Sequence, residues 1–403
     1  MNQHKQDLLE IYYAALKSVA GKAVVSKEFK SYDYPESFHV VAIGKAADAM
    51  LQGVFEVETA NSLRVKSALL ISKHGHISEA MRQDTRVTCI ESDHPVPKEN
   101  SIKAGVFLLD FIGTLPLNEP CIFLISGGAS ALVEVLYEGW NLSQLQELTD
   151  YLLANAYPIN EINVVRQRIS KIKGGGLWSY LGERPVYCLM ISDVPNDDPR
   201  IIGSGLLFPV EELQLPDLPE QWLEKINPFI ACKQGNNFTW KTIASLGVAK
   251  KAAKQKAIAL GYATKVILKL MQGNATDVAA SCVKRIEKNP NTLFVWGGET
   301  TVHLPEGAGM GGRNQHLALA AAIHMQGLKN TYLLAAGTDG SDGLTSATGA
   351  LVDNQTVNMS DKNASDYLTR ADSNTFFKNT ECLIETGATG TNVMDLVIAI
   401  STD

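Results

Sequence analysis

The chain has 403 residues, 45% of them apolar and 20% charged, with a formal net charge of -7. Such a chain is long enough for two or three domains with real cores and too apolar to be a disordered polymer. The acidic balance, without any basic run interleaved with aromatic residues, argues against a nucleic-acid face, and no apolar window reaches the length of a membrane span.

The opening segment, MNQHKQDLLE, holds no apolar stretch of the signal-peptide kind. Cys89, Cys121, Cys188, Cys232, Cys282 and Cys382 are not spaced as metal ligands, and several fall in apolar runs, where thiols are usually buried. A reducing, cytoplasmic setting is the expectation.

Residues 8–20 place Leu8, Leu9, Tyr12, Ala15 and Leu16 on one face, which predicts a helix. The β-rich run 38–43 leads into Gly44-Lys45 and a second helix. Further strand candidates lie at 68–71, 87–90, 122–125 and 186–191. The second of these runs into Asp93-His94-Pro95, the third into Ser126-Gly127-Gly128-Ala129-Ser130 and a helix, the fourth into Ser192-Asp193. Residues 164–173 read as a helix with Val165, Ile169 and Ile172 on its core face, closed by Gly174-Gly175-Gly176. The stretch 206–238 is richer in Pro and Glu, lacks periodicity, and reads as an inter-domain connection. A second α/β unit follows, with a helix over 241–261 and strands at 265–270, 293–296 and 332–336. This order predicts two domains, 1–235 and 236–403, each a mostly parallel sheet flanked by helices, with ligands beyond the carboxyl ends of the strands.

The chemistry-bearing residues cluster at those ends. Gly297-Gly298-Glu299-Thr300-Thr301, the glycine-rich run 307–312 with Arg313-Asn314-Gln315, and Gly337-Thr338-Asp339-Gly340-Ser341-Asp342-Gly343 follow one another late in the chain. Glycines let backbone N–H groups approach an anion. An arginine at the mouth of a helix can fork onto phosphate oxygens. Two acids in a glycine-rich turn can hold a hard divalent ion. These are parts of a phosphoryl-transfer site.

The turn Ser126–Ser130 offers N–H groups to phosphate or carboxylate, although no Gly-Lys-Ser/Thr follows as in a Walker A loop. Lys45 can carry charge toward the strand ends, or be an ordinary solvated lysine. Asp193 is the acid nearest a strand end and the best metal candidate of its loop. Asn196, Asp197 and Asp198 around two prolines also fit plain turn formation. Lys173, late in its helix, complements the macrodipole unless the glycines after it line the cleft. Gly307-x-Gly309-x-x-Gly312 matches the dinucleotide fingerprint, but Pro305 and Glu306 precede it where a buried strand is required. It reads instead as a flap returning to a helix that starts near Arg313. His74, His76 and His94 read as loop histidines.

Taken together, Gly44-Lys45-Ala46-Ala47, Ser126 to Leu132, Ile172-Lys173-Gly174-Gly175-Gly176-Leu177, Ser192-Asp193-Val194, Gly297 to Thr301, Gly312-Arg313-Asn314-Gln315, Gly337 to Gly340 and Thr389-Gly390-Thr391-Asn392-Val393 resemble the class II glycerate 2-kinases. The C-terminal half of that family is called the MOFRL domain. The resemblance runs over essentially the whole chain. It implies a Rossmann-like N-terminal domain, a MOFRL-type C-terminal domain and an active-site cleft between them. It also implies transfer of the ATP γ-phosphoryl group to the 2-hydroxyl of D-glycerate with Mg²⁺, with Lys45 and Arg313 tied to catalysis. Departures from the family pattern are Asn196, Leu206, Leu207, His316, Leu344 and Ala388.

The expected catalytic residues are therefore Lys45, Arg313 and Asp193. Phosphate or substrate contacts fall to Ser126, Gly127, Gly128, Ala129, Ser130, Lys173, Gly298, Glu299, Thr300 and Asn314, and the metal to Asp193 and Asp339. The expected partners are D-glycerate and a nucleotide, with neither nucleic acid nor membrane, and a homodimer is left open. Rival readings are an NAD(P)-dependent hydroxypyruvate reductase and a non-catalytic ligand-binding protein on the same fold.

Overall fold

The computed structural model describes residues 2–60, 63–155, 157–378 and 380–403. It divides into two compact units: residues 21–243, and residues 1–20 together with 244–403.

The N-terminal unit is built on strands β1 (Ser37–Ile43), β2 (Arg64–Lys73), β3 (Val87–Ser92), β4 (Cys121–Ile125), β5 (Val186–Ile191) and β6 (Phe238–Ala244). Their order is β3-β2-β1-β4-β5-β6, and the ladders joining β1 to β5 are all parallel. The sequence accounts for this. β4 is continuously apolar and buried along its length, and β1 is buried from Phe38 to Ile43 and apolar from Val40 onward, as strands covered on both faces must be. Val41, Leu69, Leu108, Phe123 and Met190 belong to one core beneath the helices. The order grows outward from β1 toward β3 and from β4 toward β6. The β1/β4 junction is therefore the switch point at which open parallel sheets leave a crevice.

The stretch 206–238 does not behave as a bare connection. Leu218 and Trp222 are buried with Trp140, Leu145 and Val165 in a satellite cluster of the N-terminal unit, and the Trp140 and Trp222 rings stack at 6.0 Å. The chain passes between units at 243/244 and also at 20/21. The helix Gln3–Val19 buries Leu8, Ile11, Tyr12, Ala15 and Val19, packing on the helix Leu246–Ala259 of the C-terminal unit. The observed division thus differs from 1–235 and 236–403 at both places. Periodicity reveals that a helix has an apolar face but not which core receives it.

The C-terminal unit carries β7 (Ala263–Val266), β8 (Thr292–Gly298), β9 (Thr331–Gly337), β10 (Gly349–Asp353), β11 (Leu383–Ile384) and β12 (Asp395–Ser401), in the order β11-β10-β9-β12-β8-β7. Here β7, β8, β9 and β11 share a direction, but only β7 and β8 pair in parallel. The last strand, β12, enters between β8 and β9 and runs against both. Parallel neighbours, expected from the alternating pattern, are thus replaced by a mixed sheet. The apolar run of a fully buried strand looks the same in either direction.

Two local expectations also shift. Residues 238–244 form β6, so the expected helix starts only at Leu246. The helix before the glycine triplet is Ile159–Ile169, which leaves Lys173 in the turn that follows.

Candidate active site

In the N-terminal unit, loops from the carboxyl ends of four strands are knitted together by small buried groups. Gly44, at φ +132°, leaves room for the loop after β4, because a Cβ there would lie 2.2 Å from Ser126 Oγ. Lys45 N donates to Gly127 O at 2.9 Å and Ala46 N to Ser126 Oγ at 3.0 Å. Ser72 Oγ donates to Gly44 O and Ser92 Oγ to Leu132 O. The β1 and β4 turns thus lie side by side at the switch point. Gly128 adopts φ +87°, and a Cβ on it would sit 3.0 Å from His94 Cδ2 and 3.3 Å from Lys45 Cγ. His94, Lys45 and Gly128 therefore line one spot.

This turn departs from expectation in two respects. Ser126 is fully buried with its hydroxyl engaged internally, so it shapes the turn and does not face a ligand. The helix Ala129–Leu132 is a single turn, too short to supply a full macrodipole. The partly exposed members of the turn are Gly128 and Ser130, whose Oγ lies 2.6 Å from Ser204 Oγ; Ala129 is buried, with its N–H donating to Ser126 O.

Lys173 is placed differently from its expected role. Its ammonium and the Glu134 carboxylate are both 0% exposed and 2.6 Å apart, and Lys173 Nζ also donates to Val133 O. Burial lowers its pKa to about 8 against the opposing pull of Glu134. Lys173 is an interior strut behind the Ser126–Ser130 turn. Arg166 acts similarly, donating from Nη2 to Ser130 O at 3.1 Å.

Asp193 lies half-buried just beyond β5. Neighbouring Asp198 is occupied by Arg200, which donates from Nε at 3.0 Å and from Nη2 at 2.8 Å. Asn196 has φ 60°, a left-handed conformation that glycine adopts freely and asparagine tolerates, so this departure keeps the turn. Leu206 and Leu207 are core residues.

The C-terminal unit assembles a second group of candidates. Gly298 ends β8 at φ +147°, where a Cβ would stand 2.3 Å from Met271 O. Arg313 opens the helix Arg313–His324. Its Nε donates to Asp395 Oδ2 at 2.5 Å, and its Nη2 to Asp395 Oδ1 at 3.1 Å and Glu299 Oε1 at 2.8 Å. Burial works against the charge on Arg313, but Asp395 and Glu299 outweigh it and hold the guanidinium protonated. Thr300 and Asn314 are 3% and 1% exposed, and Thr300 Oγ1 and Asn314 Oδ1 have no hydrogen-bond partner among the described residues. Asp339 is half-buried, and its Oδ1 accepts from Ser341 N at 3.1 Å, closing its own turn. The same loop is held from behind by Tyr12, whose hydroxyl donates to Gly337 O at 2.5 Å.

Sequence reasoning missed one residue here, Asp395, and the role of another. Asp342, read as an acid for a divalent ion, caps the Arg313 helix from downstream by accepting from Asn314 N at 3.1 Å and Gln315 N at 2.8 Å. Burial pushes its carboxyl up to about 6 despite these donors. The glycine run 307–312 enters this helix from a loop and not from a strand, so it is no dinucleotide fingerprint. No three His, Cys, Asp or Glu side chains converge as a metal site among the described residues. None of the described helices is long and apolar enough to cross a membrane.

Residues 7–215 match a domain of unknown function, DUF4147, and residues 292–395 match the MOFRL family. The chain is 35% identical to D-glycerate 2-kinase of Thermotoga maritima over 90% of each chain. It is 32% identical to glycerate 2-kinase of Pyrococcus horikoshii over 93% of this chain and 89% of the relative. The crystal structure of glycerate kinase from Thermotoga maritima superposes with a TM-score of 0.83 at 32% identity, covering 99% of this chain and all of the other. Two flanked α/β sheets, the family matches at both ends and near-complete coverage agree: the chain belongs to the glycerate 2-kinase family with a MOFRL C-terminal domain.

Proposed function

We propose that this protein is an ATP-dependent glycerate 2-kinase. It transfers the γ-phosphoryl group of ATP to the 2-hydroxyl of D-glycerate, giving 2-phospho-D-glycerate, ADP and a proton. The observation that carries the reading is Arg313, a cation placed to meet a phosphate. It stands at the start of a helix, charged, with Nε and Nη2 engaged by Asp395 and Glu299, while Nη1 has no protein partner among the described residues. Two N–H bonds are thus available to a phosphate oxygen.

In this mechanism the phosphoryl group passes through a loose transition state, so positioning and charge compensation do most of the work. Arg313 Nη1 and the Lys45 ammonium are each the cation their own unit offers to the charge that develops in phosphoryl transfer. Gly127 and Gly128 offer main-chain N–H groups to phosphate or to the glycerate carboxylate, whereas Ala129 N donates to Ser126 O. Thr300 Oγ1 and Asn314 Oδ1 are buried polar atoms that a ligand hydroxyl or amino group would satisfy. Asp193 positions the glycerate hydroxyl or a metal. Mg²⁺ commonly takes one or two carboxylates with phosphates and water, so a single acid, Asp193 or Asp339, would suffice to hold it without a protein cage. When bound it neutralises charge on the phosphate oxygens.

The test is ADP release from ATP and Mg²⁺ with D-glycerate, with 2- and 3-phosphoglycerate resolved. Glycerate-dependent ADP with the 2-phospho product is the expected result. No turnover above background, or nicotinamide oxidation with hydroxypyruvate, would overturn the reading.

A further inference from the structure

Asp395 is the first residue of β12 and is 2% exposed. Its cross-strand neighbours are Gly298 on β8 and Gly337 on β9. With no side chain on either side, its carboxylate lies open to the helix start and takes Arg313 edge-on, through Nε and Nη2 together. A two-point contact fixes the plane of a guanidinium, whereas a single contact leaves it free to swivel. Because Nε and one edge of Nη2 are consumed, the pairing also decides which nitrogen remains: Nη1. The base of the same arginine is held independently, since Asp342 fixes the N–H groups of the next two residues.

A buried carboxylate is costly to desolvate, and a well-packed apolar residue would serve stability as well or better. What an apolar residue would not supply is orientation.

We propose that Asp395 is a positioning residue for phosphoryl transfer, fixing the Arg313 guanidinium so that Nη1 meets the phosphate. The proposal rests on the kinase reading above. Asp395 itself touches no substrate and acts only through Arg313.

The experiment is a double-mutant cycle on the full-length enzyme with D395N, R313A and the pair, measuring kcat, both KM values and thermal stability. D395N is expected to lower kcat about 10- to 100-fold with KM values nearly unchanged, because a misaligned group costs rate more than binding. In the R313A background the same substitution should change kcat less than about twofold. Added guanidinium should restore part of the activity of R313A and none of that of R313A/D395N. Wild-type kcat in D395N, multiplying effects in the double variant, or equal rescue with and without Asp395 would each overturn the proposal. D395E keeps the charge and the fold, and should recover activity only as far as two-point contact is regained. Selective 15N-arginine NMR supplies a readout independent of turnover: Arg313 Nη resonances should be resolved in wild type and averaged in D395N. If glycerate is not phosphorylated by any variant but this averaging is seen, the kinase reading fails and the positioning geometry stands. Averaged resonances in wild type would sink the geometry itself.

Discussion

The two units present their candidates in different ways. In the N-terminal unit the spot around Lys45 is made mostly of main chain: the Gly44 and Gly128 turns, buried serines, and struts such as Lys173 and Arg166 beneath them. In the C-terminal unit it is made of paired side chains, with Arg313 between Asp395 and Glu299 and its helix capped by Asp342. The shape of one surface rests on its backbone. The other depends on individual charges and their partners.

The strongest way to break that contrast is at Lys173. Substituting Lys173 by Met strands Glu134 in the interior and should cost about 3–5 kcal/mol of stability, read by denaturant melts. A K173M/E134L pair should regain most of it. A stable K173M enzyme with a raised KM would return Lys173 to the ligand-binding role.

Next come the two cations. Lys45→Ala and Arg313→Ala should each lower kcat about 100- to 1,000-fold in steady-state assays. R313A should also lower the melting temperature more than K45A, because it leaves the 3% exposed Asp395 side chain without its partner. Equal melting temperatures would erase the distinction between the units.

Gly44→Ala adds one methyl group, at φ +132° and 2.2 Å from Ser126 Oγ. About 3 kcal/mol of destabilisation and a marked fall in turnover are expected, although no charge is touched. A silent G44A would show that the turn has slack.

The smallest effect is a pH dependence. Burial raises the Asp342 carboxyl to about 6, from 3.8 in the unfolded chain. The folded protein therefore binds this proton more tightly than the unfolded one. The associated stability is fully present below pH 4 and is lost as pH rises through 6, amounting to about 2–3 kcal/mol. Asp342→Asn should remove that slope from stability measured between pH 4 and 7; an unchanged slope would assign it elsewhere.

Much of the N-terminal unit can be read from sequence because parallel strands deliver every following loop to one side of the sheet. Gly44-Lys45 and Ser126–Ser130 could therefore be placed together without knowing any contact. The same reasoning does not find Asp395, since its value depends on β12 lying between β8 and β9, a pairing over 58 to 97 residues that no periodicity encodes. Lys173 is misread for a related reason. A lysine between Ile172 and a glycine looks alike whether it faces solvent or a carboxylate 39 residues earlier. The capping role of Asp342 hides in a motif that reads just as well as metal-binding.

The double crossing of the chain has a consequence for biosynthesis. Residues 21–243 are one uninterrupted stretch inside a unit whose pieces lie on both sides of it. On the ribosome, that stretch can be complete while Leu8, Ile11 and Tyr12 still lack the core that will cover them. β12, which holds the middle of the second sheet, emerges roughly 10–30 s later at ordinary elongation rates. Over that interval the nascent chain carries the uncovered apolar face of the helix Gln3–Val19, a natural target for holding chaperones. Loss of residues 395–401 would remove a central strand of that sheet.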